Sequence, residues 1–167
     1  ELTPAEAMGV REPDLDYALG RVLGELYRRA LDDARRSGDK GYFEKRKAEL
    51  DKEYLAPALA HLERCRGLKT VSASYVDGLV AFYQSRYDDA LGKAALARRT
   101  TPWLYEAAKL EGDVFMARAL DARDHGDNER AAQHFEDAVG RYEQAAAIGR
   151  SDHEVYEALA EAWIRQE

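Results

Sequence analysis

Apolar side chains recur at intervals of three and four along most of this chain, the spacing of one face of an α-helix. Leu15, Leu19, Val22, Leu23, Leu26, Ala30 and Leu31 follow it in the first stretch. Asp14, after Pro13, reads as the N-cap of that helix, and Ser37-Gly38-Asp39-Lys40-Gly41 as its end. A second pattern runs from about Tyr42 to Cys65 with Pro57 inside it. A proline there removes a backbone bond and clashes with the preceding turn, so a kink or split is expected. Ser72 or Ser74 can cap a third helix reaching to about Tyr83, and after a break at Arg86-Tyr87-Asp88 a fourth runs to about Arg99. Thr101-Pro102 reads as the cap and first-turn proline of a fifth, which extends to about His125. Asp127, after Gly126, can cap a sixth helix ending near Gly149, and Ser151-Asp152-His153-Glu154 is a capping box for a seventh. No stretch alternates in the manner of a strand over a useful length. The pattern predicts seven helices and no sheet.

Composition supports the same class. Among 167 residues Ala occurs 29 times and Leu 18, against 10 for Val plus Ile, and Ala and Leu lose little entropy in a helix. The length suits one domain, or two small ones. An apolar fraction of 46% excludes a disordered chain, and the single cysteine, Cys65, excludes an internal disulfide scaffold. No apolar run approaches the ~20 residues of a membrane span, so no membrane insertion is expected. The net charge of −7 is unevenly spread: residues 1–102 carry +1 and residues 103–167 carry −8. An acidic half repels phosphate backbones, so nucleic acid is not an expected partner. No basic-then-apolar leader opens the chain; it begins at Glu1 and ends at Glu167 inside a helical pattern, which reads as a piece of a longer, cytoplasmic protein.

Small residues add a longer period. Gly78 and Gly112 are 34 residues apart, and Ala90, Ala97 and Pro102 follow Gly78 at twelve, nineteen and twenty-four. This resembles the tetratricopeptide repeat, a helix-turn-helix unit of 34 residues. Ala94 departs from it, since the family usually places an aromatic there. Leu23-Gly24 with Tyr27 resembles the family's Leu-Gly-x-x-Tyr, Gly112 with Phe115 does so more loosely, and Tyr156, Leu159, Ala160 and Trp163 resemble its Trp-x-x-Leu-Gly-x-x-Tyr. The turn follows the glycine by seven residues after Gly78 but by fourteen after Gly24 and Gly112. Seven extra residues are about two helical turns and leave the packing face almost unrotated. Ala131, Phe135 and Ala138 keep the pattern in the sixth helix, and Tyr142, Ala145 and Ala146 continue it, so that helix reads as lengthened to match. The resemblance implies an all-α superhelical solenoid. A flexible lead at residues 1–13 would precede a repeat domain at 14–167, with hairpins at about 14–66, 71–100 and 102–149 and a closing helix at about 151–166.

The runs Tyr75-Val76-Asp77-Gly78-Leu79, Arg86-Tyr87-Asp88-Asp89-Ala90-Leu91, Pro102-Trp103-Leu104-Tyr105-Glu106-Ala107, Leu110-Glu111-Gly112-Asp113-Val114 and Arg150-Ser151-Asp152 resemble, more narrowly, the non-catalytic repeat region attached to some bacterial serine/threonine protein kinases. No kinase signature occurs here: no Gly-rich phosphate loop, no His-Arg-Asp and no Asp-Phe-Gly. The family's groove positions fall on Ser72, Tyr75, Leu79, Phe82 and Tyr83, then on Glu106, Lys109, Asp113 and Met116, and lastly on Glu154, Glu157, Glu161 and Arg165. One end is aromatic and the other mainly acidic. This implies a peptide or protein partner with basic residues and apolar anchors, while the asparagines of a carboxylate clamp are missing. The competing expectation is self-association through the ends of the stack, for which Trp163 and Ile164 are candidates.

Chemistry-bearing residues are few. An EF-hand loop starting at Asp121 has Gly126 in sixth place but Arg123, His125 and Ala132 where ligands belong. His125 and His134 lack zinc spacing and a cysteine partner. His61 and His153 have no nucleophile at a recognisable spacing, and Cys65 reads as a small buried residue. Lys45-Arg46-Lys47 reads as an exposed helix face, and Glu44/Lys47 and Asp121/Arg118 as exposed ion pairs. No metal, cofactor or catalytic group is expected.

Overall fold

A computed structural model describes residues 13–66 and 71–166. Except for Pro13, the expected lead lies outside the described residues. Every regular element among them is helical, and they fall into two compact units, Glu1–Val71 and Ser72–Glu167.

The first unit holds α1 (Pro13–Arg36), α2 (Lys40–Leu50) and α3 (Ala56–Arg64), with a π-turn, Asp51–Leu55, joining the last two. Pro13 takes the opening position of α1, where its missing N–H costs nothing, so Asp14 sits inside the first turn and not at the cap. Asp39 caps α2 by accepting the Tyr42 N–H. The second pattern is divided, as expected, just ahead of Pro57. The N–H of Ala56, just before it, reaches back five residues to the Asp51 carbonyl, so the helix widens by one residue ahead of the proline. Tyr27 of α1 donates its hydroxyl to Asp51 Oδ1 at 2.9 Å, tying α1 to that widened turn. Tyr27, Leu31 and Leu50 form the core beside it. Gly24 is buried. A close approach of α1 to α3 comes at Gly20, where a Cβ would stand 2.7 Å from Leu62 Cγ.

The second unit holds α4 (Ala73–Tyr83), α5 (Tyr87–Thr100), α6 (Tyr105–Asp124), α7 (Asn128–Ile148) and α8 (His153–Gln166). Each helix packs on the next, and α6 also touches α4 and α8. Ser72 caps α4 and Asp127 caps α7, as expected. Two other starts differ. The Thr101 N–H closes α5 on Ala97, and the Leu104 N–H returns to Thr101, so residues 101–104 make a turn of their own and α6 begins only at Tyr105. Asp152, not Ser151, caps α8: its Oδ1 accepts the Glu154 N–H at 2.9 Å, and its Oδ2 accepts the Tyr105 hydroxyl at 2.6 Å.

The glycines mark where the helices nest. A Cβ at Gly78 would meet Ala94 of α5, sixteen residues on, and Leu110 of α6. At Gly112 it would meet the ring of Tyr142 in α7, thirty residues on. The increase of fourteen is one heptad in each arm. Ala138, Tyr142 and Ala145 thus stand to Gly112 as Ala90, Ala94 and Ala97 stand to Gly78, and all six are buried. The added heptads repeat the pattern beyond that crossing, where Ala119 of α6 clusters with Ala131 and Phe135 of α7. Leu159 joins α8 to the Tyr142 cluster. Seven residues of helix add about 10 Å to each arm.

Candidate functional site

The three groups of predicted groove residues meet different fates. On α4 the Ser72 hydroxyl is used in capping, accepting the Tyr75 N–H. Tyr75, Leu79, Phe82 and Tyr83 are all buried. Eight of the eleven residues of α4 are buried, which leaves no open face. These four side chains are core, and the aromatic end of the expected groove offers no exposed anchor. Their burial follows from composition, because α4 is apolar on nearly every side and such a helix is buried all round.

On α6, Lys109 and Asp113 pair at 3.1 Å, one turn apart. Asp113 Oδ1 also accepts the Tyr142 hydroxyl at 2.9 Å. Both charges are therefore engaged with their own hairpin. Met116 is half-buried against the Tyr142 and Phe135 clusters. Glu106 is half-buried in the first turn of α6, where its charge suits the helix dipole.

On α8 the polar side is open. Glu154, Ala158, Glu161 and Arg165 share one flank at helical spacing, and Glu154, Glu157 and Glu161 are exposed. Arg165 donates to Glu161 through Nε at 2.8 Å. The carbonyl of Arg165 accepts from Arg123 of α6 at 3.4 Å. At the start of the helix, the Tyr105 hydroxyl holds the Asp152 carboxyl below the usual carboxylate range against a smaller cost of burial. The accessible part of the predicted surface is thus acidic and lies on α8.

Three polar clusters escape sequence reasoning. Glu111 is buried on α6 between Arg98 of α5, 3.5 Å away, and Arg141 of α7, 3.2 Å away. Gln144 Oε1 accepts from both arginines, at 2.6 and 3.2 Å. Burial pushes the Glu111 carboxyl up, with Arg141 and then Arg98 opposing. An acidic residue just before the repeat glycine, on a face destined for burial, is the signal that could have found it. Asp16 forms the second cluster: Oδ1 lies 2.7 Å from His61 Nδ1 and accepts Arg64 Nε at 2.9 Å. Burial opposes the Asp16 charge, but hydrogen bonds from Arg64 and His61 outweigh it and hold the carboxyl low. No local motif could link residues 45 apart.

The third is a cavity of about 460 Å3 where the long hairpin overshoots the start of α5. Asp88, Arg118, Asp121, His125, Asp127, Arg130 and His134 line it. Arg118 pairs with Asp88 at 2.5 Å, not with Asp121, and elsewhere Lys47 pairs with Asp51, not with Glu44. His125 and His134 do share this cavity, yet among the described residues no three His, Cys, Asp or Glu side chains gather as metal ligands. Cys65 is buried, donates its thiol to the Leu62 carbonyl at 3.2 Å, and burial pushes its pKa up. Among the described residues no helix is long and apolar enough to cross a membrane. No protein-family model, curated protein or solved structure matches the chain.

Proposed function

We propose that this chain is a non-catalytic interaction module built as a tetratricopeptide-type superhelix, which binds a basic protein segment on the acidic flank of α8. The observation that carries this reading is the register of the second unit. The spacing from Gly78 to Ala94 recurs from Gly112 to Tyr142 after one heptad is added to each arm. Repeats that nest in this way turn alternate helices toward one surface, the usual binding face of such stacks. The family's groove positions would put Glu154, Glu157 and Glu161 on that surface, and all three are exposed. Acidic side chains there raise the on-rate for a basic segment and reject acidic ones. Apolar anchoring would come from half-buried Met116, since the α4 aromatics are buried.

The resemblance to kinase-attached repeat regions supports a place in bacterial cytoplasmic signalling. The module would recruit a substrate or regulator, and the chemistry would lie in another domain. Fluorescence anisotropy with a labelled Lys/Arg-rich peptide carrying Leu anchors tests the binding claim against a matched Asp/Glu-rich peptide. Salt-sensitive binding of the basic peptide alone is the expected result; equal binding of the two, or of neither, overturns it.

A further inference from the structure

Arg98 of α5 and Arg141 of α7 converge over α6, with 32% and 33% of their side chains exposed. Both stand against the same oxygen, Glu111 Oε2, which is buried and hydrogen-bonded to neither. Among the described residues, Gln144 Oε1 is the oxygen to which each guanidinium does donate a hydrogen bond. A guanidinium carries five N–H groups in a rigid fork, so most donors of this pair have no protein acceptor. One carboxylate for two arginines also leaves a surplus positive charge. The fold holds the two forks in place and uses them only in part.

The surroundings extend that charge in one direction. Residues 92–105 and 144–151 contain no Asp or Glu. The Tyr105 ring packs on Gly149 and its N–H bonds to the Trp103 carbonyl, so the 101–104 turn lies against the end of α7. Arg99 and Arg150 are exposed along this edge, and among the described residues neither has a carboxylate partner. Ile148, one helical turn beyond Gln144, is 43% exposed, and Trp103 is 73% exposed. On the other side of the fork, Asp137 is turned to His134 at 3.8 Å. A basic fork with an apolar step beside it is thus set into a chain of net charge −7.

We propose that this edge binds a protein segment through a phosphorylated serine or threonine, the phosphoryl group lying between Arg98 and Arg141 and an apolar side chain resting on Ile148 and Trp103. A phosphoryl group brings a charge of about −1.5 to −2 and three acceptor oxygens, enough to span two guanidiniums. The two oxygens of a carboxylate are filled by one guanidinium, so Asp or Glu is a poor substitute. The step from Gln144 to Ile148 is one helical turn, about 5.4 Å. Extended chain covers that in about two residues, which sets the spacing from phosphoresidue to anchor. Glu143 and Glu154, both exposed, bound the edge in sequence. A narrow segment avoids them, whereas a plane of anionic headgroups meets them. The site does not depend on the acidic flank of α8 and has the opposite charge preference, so one module can hold two different partners.

Fluorescence anisotropy tests this with a short labelled peptide whose one phosphoserine has a leucine two residues away on each side. It is expected to bind at least tenfold more tightly than the same peptide with serine or aspartate in that place. Arg98→Gln and Arg141→Gln are each expected to weaken it at least tenfold, with circular dichroism to verify folding. Each of these leaves Glu111 with one arginine, so Glu111→Gln supplies a second reading: it frees both forks and is expected to tighten binding severalfold. Trp103→Ala, at an exposed site, is expected to weaken the phosphopeptide severalfold while inorganic phosphate binds as before. Glu157→Lys with Glu161→Lys is expected to change it less than twofold, which separates this site from the α8 surface. Equal binding of the three peptides, or of none, overturns the proposal. So does phosphopeptide binding that neither arginine variant weakens, or binding of phosphatidylserine vesicles without binding of the phosphopeptide.

Discussion

Tyr142 lies directly over Gly112, and a Cβ at 112 would stand 2.5 Å from its ring. Gly112→Ala therefore forces the ring or the helix aside. It is expected to cost about 1–3 kcal/mol in spite of alanine's better helix propensity. Gly92 and Gly140 are the controls, because a Cβ at either meets nothing within 4 Å. Alanine at those two sites is expected to stabilise by about 0.5–1 kcal/mol. Urea unfolding of the three variants checks the contrast; a Gly112→Ala protein as stable as the controls would contradict the close crossing.

Glu111 makes stability depend on pH in an unusual direction for a carboxylate. Its folded pKa is raised, so its contribution is fully present below the ordinary glutamate pKa and is lost as pH rises through the folded value. Glu111→Gln removes that dependence. Thermal melts from pH 4 to 8 are expected to give a flatter profile than the parent, with no loss at neutral pH. A marked loss at neutral pH would mean that Arg98 and Arg141 require the charge.

Asp16 works in the opposite sense. Its folded pKa is lowered, so its contribution is present above the ordinary aspartate pKa and fades as pH falls through the lower folded value. Asp16→Asn is expected to destabilise the first unit at neutral pH by about 1.5–3 kcal/mol, the worth of a hydrogen bond to a charged group. The difference from the parent is expected to vanish in acid, and parallel denaturant titrations at neutral and low pH measure both limits.

Glu157 and Glu161 are exposed, so reversing them changes recognition and not packing. The double variant Glu157→Lys, Glu161→Lys is expected to weaken a basic peptide at least tenfold in anisotropy titrations while the melting temperature barely moves. A large drop in melting temperature would make these side chains structural.

The sequence spelled out the helices well because their signals are local. Ser72 and Asp127 cap where their side chains can reach a nearby N–H, and Gly126 turns the chain at φ +78°. The start of α6 slipped because Thr101 was already engaged in closing α5, and the cap of α8 moved to Asp152 because Tyr105, 47 residues away, holds that carboxylate. Pro57 hid a π-turn, since periodicity shows that a proline must be accommodated but not how. The binding surface was less legible. Repeat positions gave Tyr75, Leu79, Phe82 and Tyr83 the same standing as Glu154 and Glu161. Burial, which depends on every neighbouring element, separates them. Glu111 and Asp16 find their arginine partners through the fold and not through spacing.

The nesting of hairpins through matched heptads underlies the whole account, and paired deletion tests it most directly. Removing Met116–Ala122 from α6 together with Ala131–Asp137 from α7 restores to Gly112 the sixteen-residue spacing that joins Gly78 to Ala94. Removing either heptad alone leaves the arms unequal by two turns. In thermal melts followed by circular dichroism, the double deletion is expected to unfold in one cooperative transition, and each single deletion to lose cooperativity or melt far lower. A double deletion that unfolds no better than the single ones would contradict the repeat register.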